Sequence, residues 1–209
     1  MENNYEIIPL FPTLIYNTTI PQNLSSIITW FDQQPLAEPE PNNSLFGAIS
    51  KDTYILDNNE CTPLKNFIIG QAKNYATNYL FYDKPEYKIT QSWISHKNPG
   101  EEHVKHNHTN SLISGVLYYG NNLSETPSIV FSNPLQNTGS TPSILVFPNQ
   151  DNTEISFKPS PGTLLLFPSY LYHSVPKNTT NQTRKSLAFN VVPKDGFGNA
   201  QFLNELKFN

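Results

Sequence analysis

The 209-residue sequence has one cysteine, Cys61, so no disulfide can close within the chain, and a reducing compartment is expected. Long apolar runs are missing too. None approaches the roughly 18–20 residues that cross a bilayer, so no membrane-spanning helix is expected. Positive charge is scarce: 13 Lys and Arg against 17 Asp and Glu leave a net charge of −4, and the lysines are scattered. Without a basic stripe, nucleic acid is not an indicated partner. The start, Met1-Glu2-Asn3-Asn4, lacks the basic and apolar regions of a signal peptide, and a cytoplasmic location is expected. The sequence carries no signal for oligomeric state.

What is present is asparagine, aromatic residues and 18 prolines, a mixture that suits short strands joined by many turns. Residues 5–20, broken by Pro9 and Pro12, read as an extended segment at a sheet edge. Pro21 to Gln34 can form a short helix, with Leu24, Ile27, Ile28 and Phe31 on one face. Gln34–Ser44 reads as a loop. The clearest helix runs from Thr62, which can cap it, through Pro63 to about Leu80. Its apolar stripe (Leu64, Phe67, Ile68, Ala72, Tyr75, Ala76, Tyr79) is expected to cover the outer face of a sheet, with both tyrosines as packing residues.

From Tyr87 onward the period becomes extended. Strands are expected at Lys88–Ser95, Ser111–Tyr119, Ser128–Phe131, Ser143–Phe147, Thr153–Phe157, Gly162–Phe167, Leu171–Val175 and Arg184–Val191. Turn signals such as Asn98-Pro99-Gly100 and Pro161-Gly162 separate them. The fold class is therefore mainly β, a jelly-roll barrel with N-terminal buttressing helices. No repeat or linker divides the chain. One domain over 1–209 is expected, with a helical and extended part over about 1–86 and a β core over about 87–193.

Four of the five histidines fall between His96 and His108, and the fifth is His173. In an extended segment, residues i and i+2 share a face, so His106 and His108 can present two imidazoles together. His173, at the start of a strand after an apolar one, can supply a third and leave the opposite side of a metal ion open. Incidental surface or core histidines are the plain alternative, which only the combination of all three argues against. His103 is a rival ligand, ranked lower because its spacing to His106 suits a helical turn. Glu101 and Glu102 could supply a carboxylate, although nothing in their spacing demands it. On the segment Arg184–Asn190, Arg184, Ser186, Ala188 and Asn190 share one face. A buried arginine there needs an anion and matches a carboxylate bidentately, with Ser186 as an added donor.

The His-x-His step, followed by Ser111-Leu112-Ile113-Ser114-Gly115-Val116-Leu117-Tyr118-Tyr119, resembles the 2-oxoglutarate- and Fe(II)-dependent oxygenases. Within them it is similar to a group from marine bacteria and their tailed phages. Leu10-Phe11-Pro12, Gln91-Ser92-Trp93, Pro161 to Pro168, His173-Ser174-Val175 and Arg184 to Asn190 extend the likeness over most of the chain. The resemblance implies a double-stranded β-helix, with His106, His108 and His173 as the metal set. It also implies Arg184 and Ser186 on the far carboxylate of 2-oxoglutarate. Tyr118, Ser111 and Asn190 are further candidates for the cosubstrate pocket, against ordinary packing roles for each. Arg184 follows His173 by 11 positions (184 − 173), which suits adjacent strands. The family usually places a carboxylate where His108 stands, so zinc or copper are conceivable beside iron. A phage origin would place the protein in a host cytoplasm.

The implied activity is hydroxylation coupled to conversion of 2-oxoglutarate into succinate and CO₂. The substrate, a protein side chain or a small molecule, is not legible; Gln34–Asn59 and Gly120–Gln150 are candidate lids. Two other readings remain open. A cupin-like three-histidine enzyme would have no need of Arg184 and Ser186, and a non-catalytic jelly-roll module would have no need of any metal.

Overall fold

The computed structural model describes residues 12–37, 47–82, 84, 86–120, 123, 125–134 and 153–208. In chain order these form β1 (Tyr16–Thr19), α1 (Ser25–Phe31), β2 (Leu36–Ala37), β3 (Ala48–Ser50) and α2 (Thr62–Asn78). The β-rich part follows as β4 (Tyr87–Lys97), β5 (His103–His106), β6 (Ile113–Tyr119), β7 (Ile129–Ser132) and β8 (Glu154–Phe157). It continues with β9 (Thr163–Pro168), β10 (His173–Val175), β11 (Arg184–Pro193), β12 (Gly196–Phe197) and β13 (Leu206–Lys207).

Seven strands build a large sheet in the order β1-β9-β6-β11-β4-β3-β2, and four build a smaller one, β5-β10-β7-β8. The named strands pair antiparallel, in the jelly-roll arrangement. The large sheet is apolar on both faces because it is covered on both. On one face, Ile94, Leu117, Leu164, Leu166, Leu187 and Phe189 pack with Leu64, Ile68, Ala72 and Tyr75 of α2. On the other, Tyr118, Leu165 and Phe167 meet Ile129 and Phe131 of the small sheet. The alternation along each strand thus separates a helix-facing core from a barrel interior.

Several expectations are corrected. The N-cap position of α2 is Cys61, without a side-chain bond, and Thr62 lies inside the helix because a 3₁₀ turn at Asn59–Cys61 runs straight into it. The helix stops at Asn78, so Tyr79 leaves the apolar stripe and is 47% exposed, whereas Tyr75 is buried and donates its hydroxyl to Leu14 O at 2.6 Å. The segment expected as one helix over 21–34 is a 3₁₀ turn at Gln22–Leu24 followed by the short α1. Residues expected only as loop contribute β2, which pairs with β3 at the edge of the large sheet. β10 and β11, expected as neighbours, lie in different sheets. The expected strand Ser143–Phe147, the motif residues Leu10 and Phe11, and much of both candidate lids lie outside the described residues.

Candidate active site

His173 opens β10 and sits directly opposite His106, the last residue of β5. His108 lies just beyond β5, where its backbone N–H is held by Ser169 O at 3.0 Å. One ligand atom from each of the three imidazoles lies within 4.8 Å of the others. The tautomers of two are fixed by the backbone. His106 Nδ1 donates to Val104 O at 2.8 Å, and His173 Nδ1 donates to Leu171 O at 3.0 Å. A carbonyl can only accept, so the proton is on Nδ1 and the Nε2 lone pair is left for a metal.

Burial pushes the His173 imidazole down to about 3, with His106 adding to the effect, and the His108 imidazole down to about 4. His106 is shifted in the same direction, again chiefly by burial. All three are therefore neutral near pH 7, the protonation state that ligates. Three neutral nitrogen donors, two of them with tautomers fixed by the backbone, fit a divalent transition metal. Phe167, 4.9 Å from His173 between ring centroids, and Trp93, 6.0 Å from His108, wall the cluster.

His103 is a strand residue rather than part of a helical turn. Between His173↔His106 and Val175↔His103 the register slips by one residue, a bulge that turns His103 onto the side of His106. Their rings stack at 4.2 Å, yet His103 is not part of the three-atom cluster. Glu101 accepts from the Asn98 backbone N–H at 2.7 Å and Glu102 is exposed, so neither carboxylate joins the histidines.

Below the cluster, an inner slot runs between the sheets, lined by His106, His173, Ser95, Arg184, Ser186 and Val116 among others. Arg184 is the sole arginine in the chain and is 3% exposed. Its Nε donates to Pro127 O at 3.2 Å, and the guanidinium carbon lies 5.0 Å over the Tyr118 ring. Burial lowers its affinity for a proton, and among the described residues no carboxylate pairs with it. A buried guanidinium without a carboxylate partner can receive an anionic ligand. Lys97, 1% exposed, stands opposite Arg184 on β4.

The remaining candidates separate. The Tyr118 hydroxyl is buried beside the arginine, whose guanidinium lies over its ring. Asn190 lines the outer mouth, where its Oδ1 accepts from Ser114 Oγ at 2.9 Å. Ser111 reaches neither cavity; its hydroxyl turns to the Ile113 and Val191 carbonyls at 3.1 and 3.2 Å. The mouth is a cavity of about 420 Å³ whose described lining includes Ile49, Thr53, Gln91, Trp93, Asn107 and Thr109 beside the histidines. Sequence reasoning singled out neither Ser95 and Lys97 nor the roles of Trp93 and Gln91 here. The i, i+2 spacing of Gln91, Trp93, Ser95 and Lys97 was the available signal, and it becomes decisive only once their strand's inward face is known.

Residues 91–190 match the family described as "Putative 2OG-Fe(II) oxygenase". The chain is similar to the 2OG-Fe(II) oxygenases. No curated protein sequence matches it. Among solved structures, a prolyl-4-hydroxylase from Pseudomonas putida superposes with a TM-score of 0.57 at 16% identity, covering 85% of this chain and 92% of that one. A non-heme alpha ketoglutarate dependent epimerase from nogalamycin biosynthesis gives 0.65 at 9%, covering 88% and 80%. A Trichoplax adhaerens prolyl hydroxylase, solved with a hypoxia inducible factor peptide fragment, gives 0.57 at 14%, covering 86% and 83%. At these identities the likeness is one of fold. The family match implies Fe(II) and 2-oxoglutarate as cofactors, and the three-histidine cluster suits the metal. No helix among the described residues is long and apolar enough to cross a membrane.

Proposed function

We propose that the protein is an Fe(II)- and 2-oxoglutarate-dependent dioxygenase that hydroxylates a substrate presented at the outer mouth, releasing succinate and CO₂. One observation carries this reading: a buried arginine with no carboxylate partner among the described residues stands in the slot that opens onto three neutral histidines, two of them tautomer-fixed. His106, His108 and His173 would hold the iron, which supplies dioxygen activation when bound. Arg184 and Ser186 would hold the far carboxylate of the cosubstrate, in surroundings where a charge-assisted pair is strong because water is excluded. Tyr118, under the guanidinium, restricts where that fork can point. Phe167, Phe131 and Leu165 keep the inner wall dry.

The substrate's reacting group would enter through the mouth, whose described lining is aromatic and neutral polar: Trp93, Gln91, Asn107 and Asn190. Side chains of peptides and neutral small molecules both suit that chemistry.

The test is succinate formation from 2-oxoglutarate by purified protein with and without Fe(II), under air and under argon. Turnover, even uncoupled, that needs both iron and oxygen supports the reading. An iron-loaded protein that never consumes 2-oxoglutarate would favour a three-histidine enzyme of another kind.

A further inference from the structure

Trp93, Ser95 and Lys97 alternate along the inward face of β4, and the last two stand opposite Ser186 and Arg184 on β11. Lys97 Nζ lies 2.9 Å from Ser95 Oγ. An ammonium has donors only, so the serine oxygen must accept. The serine's own proton is left over, and among the described residues it has no acceptor, although the side chain is 94% buried (6% exposed). Ser95 lines the inner slot together with Arg184 and Ser186. Lys97 is absent from its lining; burial and Arg184 disfavour the charged lysine, and the Glu101 carboxylate favours it. A buried hydroxyl whose proton is unclaimed and whose oxygen is fixed by a cation is oriented to donate.

We propose that Ser95 is a further anchor for the distal carboxylate of the cosubstrate, and that Lys97 is the positioning residue that aims it. The inference rests on the 2-oxoglutarate reading above. A carboxylate has about four lone-pair sites, more than the arginine fork fills. Ser186 from β11 and Ser95 from β4 approach the slot from neighbouring strands and can fill the remainder. Lys97 acts only through Ser95: it fixes the hydroxyl so that its proton faces the slot instead of turning to a backbone carbonyl, as that of Ser111 does.

The experiment uses full-length protein loaded with Fe(II) under argon, titrated with 2-oxoglutarate and, separately, with pyruvate. Both are 2-oxo acids, but pyruvate lacks the distal carboxylate. Ser95→Ala is expected to weaken 2-oxoglutarate binding about five- to tenfold while leaving pyruvate and iron affinity unchanged. Lys97→Met is expected to do the same, and the double variant to be no worse than Ser95→Ala by more than about twofold. Unchanged 2-oxoglutarate affinity in Ser95→Ala, or equal losses for both acids, would overturn the proposal. Fully additive losses would overturn the role of Lys97. A wild-type protein that binds iron but not 2-oxoglutarate would instead overturn the parent reading, and this one with it.

Discussion

Arg184 concentrates the cost of burying charge in one side chain, and that cost makes it the sharpest residue to change. Replacing it by Met should raise the 2-oxoglutarate requirement about 10- to 100-fold, the worth of a hydrogen bond to a charged group, with iron affinity retained. Titration of cosubstrate against the iron-loaded variant checks this. His173→Ala should lower iron affinity more than about 100-fold, since even outer partners of a ligand are worth 10–100-fold; bound iron after desalting is the readout. Lys97 makes a stability prediction. Burial, reinforced by Arg184 and opposed by Glu101, pushes its ammonium from 10.5 down to about 8. Between those values the unfolded chain holds a proton that the folded chain has lost, so stability rises with pH. Above about pH 9 Cys61 acts the other way, because burial pushes its thiol from 9.0 up to about 12 and the folded chain keeps that proton. From pH 8 to 9, urea unfolding should therefore show the stability of the wild type rising relative to that of Lys97→Met by about 1 kcal/mol. The histidines and Arg184 were legible in the sequence because rare, chemically distinctive residues stand at telling spacings. Ser95 and Lys97 were not, since a serine and a lysine two apart on a strand look solvated until a second sheet covers that face.

At the scale of elements, α2 is held by its stripe and not by its cap. Ile68 is fully buried against the large sheet, and Ile68→Ala should cost about 2–5 kcal/mol. Tyr79→Ala, at the exposed end of the same helix, should stay within about 0.5 kcal/mol. Comparing their urea midpoints tests which face of the helix is inside. Gly115 is the tight point of β6: a Cβ there would lie 2.2 Å from the Phe189 ring and 2.8 Å from Leu166. The helical period and the apolar strands were readable because each repeats over many residues. The two-residue β2 and the bulge of β5 were not. A single slipped residue leaves no periodic trace, yet it brings His103 against His106.

Across the whole molecule, the large sheet serves two cores at once. α2 and the N-terminal turns close one face, and the small sheet closes the other around the histidines and Arg184. Fold and site are coupled through β11. Leu187, Phe189 and Val191 face the helix while Arg184, Ser186 and Ala188 face the slot, so one strand packs the helix-side core and aims the proposed anion-binding groups. The layering was foreseeable from strand count and spacing. Which sheet each strand joins was not, because β10 and β11 follow one another in sequence but belong to opposite layers. The most direct test is the visible spectrum of metal-free protein under argon, with Fe(II) added first and 2-oxoglutarate second. The expected result is a charge-transfer band that needs both additions and is absent in His173→Ala. Iron binding with no band after 2-oxoglutarate would contradict the cosubstrate assignment, and no iron binding at all would contradict the metal centre itself.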